Sequence, residues 1–298
     1  MMSSGNSEMI QEMEQCRESV DARLQELFAE AGSSYATLVE SMRYSLLAGG
    51  KRVRAVICMK FCEAAGGRPE DALDVACAVE MLHTYTLIHD DMPAMDGDDM
   101  RRGMPSNHIE YGEFTAMLAG DALQAAAFEA LANSGLPARS IVEMVQIFAH
   151  AAGPHGICGG QYLDLSGEGW HLTIDELLEL YSMKTAALIS AAARLGVIAG
   201  NGTNEQIEAA HLYSQAIGLA FQVRDDVLDC IATAEEIGKP VGSDATNEKS
   251  TFASLLGVEA CEKMINKETE KAILALEGKF ENTEFLTWLA RVLAERKN

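Results

Sequence analysis

Apolar residues recur at spacings of three and four along nearly the whole chain, with Ala, Leu, Met and Glu set among them. That is the period of helices that bury one face. No stretch alternates with the period of a half-buried strand. The pattern predicts helices over residues 7–30, 36–47, 54–65, 70–91, 115–133, 138–152, 173–200, 204–231, 250–257, 258–276 and 283–296. All six prolines (69, 93, 105, 137, 154, 240) fall where a helix would break. Thr173 with Glu176 and Thr203 with Gln206 read as capping boxes. The Ala runs at 125–127 and 191–193 would let long helices approach closely. Without a linker, low-complexity tract or repeat, the expectation is one all-α domain over residues 1–298, a helical bundle.

Composition narrows the function. With a net charge of −22 and a pI near 4.6, nucleic acid and anionic membrane surfaces are poor partners, since both demand a basic footprint. Only 23 Lys and Arg are present, so any cluster of them carries information. The seven cysteines (16, 58, 62, 77, 158, 230, 261) include no Cys-x-x-Cys pair and read as reduced, mostly buried small hydrophobes. Cys58 and Cys62 could share a helix face, but no second ligand pair supports zinc. The first residues lack the cationic start and apolar core of a signal peptide. Residues 186–200, the most apolar stretch, are interrupted by Arg194 and too short to span a bilayer. A soluble, cytoplasmic setting with no transmembrane segment is expected.

Residues 83–102 concentrate chemistry. Asp90, Asp91, Asp96, Asp98 and Asp99 follow an apolar run and are followed at once by Arg101 and Arg102. Carboxylates this close repel, so they must be solvated or neutralised by a cation. Either a solvent-washed acidic loop or a Mg²⁺ site fits, the latter with one or two carboxylates plus substrate phosphates. Pro93 ends the helix, so Asp96 must return from a loop to join Asp90. His83, seven residues before Asp90, shares its face. Gly49-Gly50-Lys51-Arg52-Val53-Arg54 sets three cations at a glycine-opened helix start, a favourable place for an anion.

A second acidic site, residues 221–229, lies within a long apolar helix, where Asp225 and Asp229 share a face and Asp226 adjoins them. Carboxylates in such a setting are seldom there for stability. A salt-bridged helix with Arg224 as partner is the rival reading, but two Asp clusters on apolar helices point to a shared metal cluster. Lys184-Thr185 interrupts another apolar helix, and Gly238 to Asp244 leads to Lys249-Ser250-Thr251.

These pieces, in this order, resemble the short-chain trans-isoprenyl diphosphate synthases, most of all the bacterial-type farnesyl diphosphate synthases. The resemblance runs from about Tyr44 to Lys249. It covers the Gly-Gly-Lys-Arg element, two Asp-rich motifs, a Gly-Gly-Gln-x-x-Asp element (Gly159, Gly160, Gln161, Asp164), the Lys-Thr pair, and the late Gly-Lys and Lys-Ser-Thr elements. It implies an all-α bundle around a deep central cavity, usually a homodimer, condensing isopentenyl diphosphate with dimethylallyl or geranyl diphosphate. It also implies Mg²⁺, three ions with substrate bound. By similarity Asp90, Asp91, Asp96, Asp225, Asp226 and Asp229 hold the metal. Arg101, Lys184, Lys239 and Lys249 grip the allylic diphosphate, while Gly50, Lys51, Arg54, His83 and Arg102 bind isopentenyl diphosphate. Thr185 and Gln222 steady an allylic cation.

Product length depends on what lies beneath Asp90. Thr86 is small, whereas Tyr85 is bulky and could floor the cavity. Four residues rather than two separate Asp91 from Asp96, which in bacterial-type relatives accompanies such an aromatic and a fifteen-carbon product. Farnesyl diphosphate is therefore the expected product, with geranylgeranyl or geranyl diphosphate as alternatives. Ser243 stands where many relatives carry Lys, which leaves one diphosphate contact in doubt. A class I terpene cyclase or head-to-head synthase would not need the Lys51, Arg54 and His83 set. A non-catalytic partner subunit would tolerate loss of Asp residues that are intact here, and a plain scaffold would not place Asp clusters in apolar helices.

Overall fold

A computed structural model describes residues 4–29, 34–167, 169, 171–231 and 250–296. It divides into two compact units, Met1–Gln146 with Leu195–Gly202, and Ile147–Arg194 with Thr203–Asn298. The chain is all-α apart from one very short β-hairpin among the described residues.

The first unit contains α1 (Ser4–Leu27), α2 (Ala36–Leu46), α3 (Val53–Ala64), a 3₁₀ turn (Pro69–Ala72) and α4 (Leu73–Asp90). The strands β1 (Met100–Arg101) and β2 (Met104–Pro105), then α5 (Asn107–Tyr111) and α6 (Glu113–Ala132), follow, with most of α7 (Ala138–Ala152). α4 is its central helix: Val75 to Val79, Met81 and Leu82 are all buried, so it is apolar around its circumference rather than on one stripe. α3 is equally buried from Ala55 to Cys62. Glycine permits the close contacts: a Cβ on Gly120 of α6 would meet His89 of α4 at 2.2 Å, and one on Gly196 would meet the Cys58 carbonyl of α3 at 2.1 Å. Burial pushes the Cys58 thiol well up and Cys62 to about 12, so both stay protonated at neutral pH.

The second unit holds the end of α7, α8 (Ile157–Ser166), α9 (Ile174–Tyr181), a π-helical turn (Ser182–Ala186), and most of α10 (Ala187–Ala199). It continues with α11 (Asn204–Ile231), α12 (Phe252–Leu256), α13 (Val258–Leu276) and α14 (Glu284–Glu295). Its core joins Leu177, Tyr181, Val223, Val227, Phe252 and Ile265. Tyr213 of α11, fully buried, donates its hydroxyl to the Leu286 carbonyl of α14 at 2.7 Å. Both expected capping boxes form, with Glu176 N–H donating to Thr173 Oγ1 and Gln206 N–H to the Thr203 hydroxyl.

Two expectations need correction. Residues 173–200 are not one regular helix, because the π turn divides them. That whole stretch, Ile174–Ala199, is 26 residues and by length and composition could cross a membrane. It is longer than residues 186–200 suggest, yet 67% of its most apolar window is buried inside the protein, as in a core helix. Of the two Ala runs, 191–193 is buried, whereas Ala125 lies exposed.

Candidate functional site

In the first unit the glycine-opened start of α3 sorts its three cations. Gly49 and Gly50 have φ of 82° and 125°, and Arg52 itself is left-handed at 48°. That turn sends Arg52 inward, where it donates to Asp21 (2.8 Å), Glu80 (3.3 Å) and the Leu46 carbonyl (2.6 Å). Glu80 also accepts from the Ala55 N–H of α3 at 3.2 Å, so Arg52 and Glu80 anchor the helix start. Lys51 stays exposed. Arg54 reaches His83, with its Nη1 3.3 Å from the imidazole Nε2. A guanidinium only donates, so Nε2 accepts and the ring proton sits on Nδ1. Burial and the nearby Arg54, Arg102, Arg52 and Arg101 hold His83 well below the usual histidine range. The Nε of Arg54 is buried without a hydrogen-bond partner, a donor in cationic surroundings that an anion would satisfy.

Arg102 reaches the same glycines from the hairpin. Its guanidinium donates to the Gly49 carbonyl at 2.5 Å, and a Cβ on Gly50 would meet it at 3.0 Å. Arg102 and Gly103, with φ of 54° and 77°, form the two-residue turn between β1 and β2, a type I′ arrangement that favours glycine. Gly50, Arg54, His83 and Arg102 are thus brought together.

Asp90 is the last residue of α4, and Asp96 does return to it: the Asp96 N–H donates to the Asp90 carbonyl at 2.9 Å. Gly97, left-handed at 67°, closes the turn by donating to the Met92 carbonyl at 3.1 Å. Asp91 behaves differently. It is buried and both its oxygens take Arg101 Nε, at 2.9 and 3.2 Å. Burial raises its carboxyl above the ordinary range while Arg101 opposes that rise. The pair ties the hairpin to the end of α4 and engages a carboxylate that sequence placed among the metal ligands. Arg101 also meets Asp98 at 3.1 Å.

In the second unit Asp225 and Asp229 lie one turn apart on α11, both half-buried. Asp225 pairs with Arg296, whose guanidinium lies 3.6 Å from the Phe221 ring centroid. Asp226 is buried and accepts from the Tyr181 hydroxyl at 3.2 Å and the Phe252 N–H at 2.8 Å, joining α9 and α12 to α11. Arg224, the rival partner for Asp225, instead grips Glu262 through both guanidinium nitrogens at 2.6 and 2.8 Å.

The π turn places Lys184 and Thr185. Thr185 donates to the Gln222 side-chain oxygen at 3.0 Å, and Lys184 donates to Asp164 of α8 at 2.5 Å. The helices expected from sequence leave out α8, which holds Gly159 and Gly160. They are close-approach positions: a Cβ on Gly160 would meet the Lys184 backbone N at 2.3 Å. Asp164, which sequence placed only within a motif, is therefore the partner of a site lysine. Lys239, Ser243 and Lys249 lie outside the described residues.

Among the described residues no three His, Cys, Asp or Glu gather into a metal cluster by themselves. Mg²⁺ does not need one, taking one or two protein carboxylates with the remaining oxygens from water and phosphate. The Asp90–Asp96 turn brings the backbones of two Asp residues together at the end of α4.

A profile of the polyprenyl synthetase family matches residues 35–287. The chain is 47% identical over 242 residues to a geranylgeranyl pyrophosphate synthase, chloroplastic, of Capsicum annuum, covering 80% of this chain and 66% of that protein's length. It is 46% identical to a geranylgeranyl diphosphate synthase of Cyanophora paradoxa, covering 81% and 83%. Among solved structures, an FPP/GFPP synthase from Zymomonas mobilis superposes with a TM-score of 0.86 at 34% identity, covering 97% and 99%. The chain belongs to the polyprenyl synthetase family.

Proposed function

We propose that this chain is a trans-prenyltransferase that condenses isopentenyl diphosphate with allylic diphosphates, and that both units serve one catalytic domain, as the single family match across them supports. The observation that carries the reading is the backbone bond from Asp96 to Asp90, which returns a second carboxylate to the end of a core helix. Asp90 and Asp96, and from α11 Asp225 and Asp229, would hold Mg²⁺ on diphosphate oxygens. Bound there, Mg²⁺ would supply positive charge against the departing diphosphate. Lys51, Arg54, His83 and Arg102 would bind isopentenyl diphosphate, where a neutral imidazole leaves the charge to the arginines. Lys184 would take the allylic diphosphate, with Lys239 and Lys249 beside it. The Thr185 and Gln222 dipoles would steady the allylic cation, and apolar helix faces would keep water from it.

The product is proposed as geranylgeranyl diphosphate rather than the farnesyl diphosphate expected from sequence. Support comes from the names of the relatives at 46–47% identity and from Tyr85. Its ring is buried and packs edge-on against His89, with centroids 5.2 Å apart. His89 in turn bonds the Met117 carbonyl of α6 at 3.0 Å. Tyr85 thus lies edge-on to a side chain of its own helix that itself reaches α6. A direct test offers farnesyl diphosphate as the allylic starter: its extension by one isopentenyl unit supports this product, and its rejection restores the farnesyl reading.

We also propose a homodimer. Phe114, Met117 and Leu118 form an exposed stripe at helical spacing on α6, 77%, 42% and 49% accessible, with Ile109 nearby in sequence. A second copy of this chain would cover it. A cytoplasmic location remains the proposal from composition.

A further inference from the structure

Arg296 is the first residue past α14, and its side chain turns back onto α11 within the second unit. Three contacts seat its guanidinium there. It lies 3.6 Å from the Phe221 ring centroid, donates to the Phe221 carbonyl at 3.2 Å, and pairs with Asp225 Oδ1. Phe221 and Asp225 are four apart on α11 and share a face, so one cation meets both. The seat is poorly built for stability alone. The Arg296 side chain is 15% accessible, yet its Nε has no hydrogen-bond partner, while the Asp225 side chain is 42% accessible. A buried donor left open costs free energy, and a pair with a half-exposed carboxylate returns little of it. Asp226, the next residue, is buried and accepts from the Tyr181 hydroxyl and the Phe252 N–H. The guanidinium is thus set on the solvent-facing member of the Asp225–Asp226 pair.

We infer, on the reading of Asp225 as a metal ligand, that Arg296 is an internal counter-ion that competes with a divalent metal for this carboxylate. It neutralises Asp225 while no metal is present, and its charge opposes the approach of a second cation to the same group. A guanidinium does not shed its proton, so the competition is relieved only when the side chain moves off Oδ1. The Phe221 ring face and carbonyl remain to receive it. Metal affinity at Asp225 is therefore lower than the carboxylates of α11 would give without Arg296.

The test uses the full chain with Mn²⁺ alone, a hard divalent ion that takes the same oxygen ligands as Mg²⁺ and whose free form is counted by electron paramagnetic resonance. Asp225→Asn should weaken Mn²⁺ binding, which identifies the part that depends on this carboxylate. Arg296→Gln should tighten that part about fivefold at low salt, the size of a half-exposed ion pair. Arg296→Lys keeps the charge and should bind Mn²⁺ as the parent does. Arg291→Gln, at an exposed position of α14, makes the same change in net charge and should also leave the affinity unchanged. In an Asp225→Asn background the gain from Arg296→Gln should vanish. Thermal melts without metal check that each variant folds, and Arg296→Met serves if the glutamine variant does not. Unchanged or weaker Mn²⁺ binding in Arg296→Gln, even with a lower melting temperature, overturns the counter-ion, as does an equal gain in Arg291→Gln. When Asp225→Asn weakens binding and Arg296→Gln does not tighten it, the counter-ion alone falls. Mn²⁺ binding that Asp225→Asn leaves intact overturns the counter-ion together with the reading of Asp225 as a metal ligand.

Discussion

Arg54 and His83 meet at 3.3 Å with the imidazole held neutral. Burial is the main cause and the neighbouring Arg54, Arg102, Arg52 and Arg101 add to it. The folded pKa lies well below the ordinary 6.5, so as pH falls past about 6.5 the unfolded chain binds a proton that the folded one refuses. His83 thus contributes stability above about pH 6.5 that is lost towards lower pH. Thermal melts between pH 7 and 5 should show this slope, and His83→Gln should flatten it; an equal slope in the variant removes His83 as the source.

The Asp90–Asp96 turn depends on Gly97 at φ 67°. Gly97→Ala forces a side chain into left-handed backbone and should cost about 1 kcal/mol of stability. Asp96→Asn keeps the backbone bond and removes the charge. It should therefore leave the melting temperature close to the parent's while lowering kcat by about 10²-fold or more. Equal stability losses in both variants, with little change in kcat for Asp96→Asn, would show that the turn is only structural.

Tyr85→Ala discriminates between two roles for that ring. Packed on His89, it should cost about 3 kcal/mol when truncated and leave geranylgeranyl diphosphate as the main product. A clear shift to longer chains would make Tyr85 the cavity floor after all.

Phe114→Glu combined with Leu118→Glu places charges in the exposed stripe of α6. Sedimentation should show the parent as a dimer and the variant as a monomer with an intact helical spectrum. An unchanged dimer would mean that a different face carries the contact.

Much of the fold is legible in the sequence because its signals are local. Pro93 marks the end of α4, and the Thr173–Glu176 and Thr203–Gln206 boxes mark true helix starts. The hairpin is invisible there because two-residue strands have no period to detect. α8 escapes because a glycine that breaks a helix and a glycine that lets a neighbour approach look alike in sequence. In the site, residue types point to the right stretches but not to which way each side chain turns. Arg52 and Arg54 are two apart, yet one anchors α3 while the other keeps a buried donor open. Asp91 and Asp226 each belong to an Asp pair, and each is consumed by protein donors. Arg296, beyond every recognised motif, nonetheless meets Asp225.

The most direct measurement incubates the purified chain with Mg²⁺, labelled isopentenyl diphosphate and dimethylallyl diphosphate, then separates the dephosphorylated products by length. Geranylgeraniol as the main product is the predicted result, with no elongation when Mg²⁺ is chelated. Farnesol would keep the reaction and overturn the proposed length, and no elongation with any allylic starter would contradict the account itself.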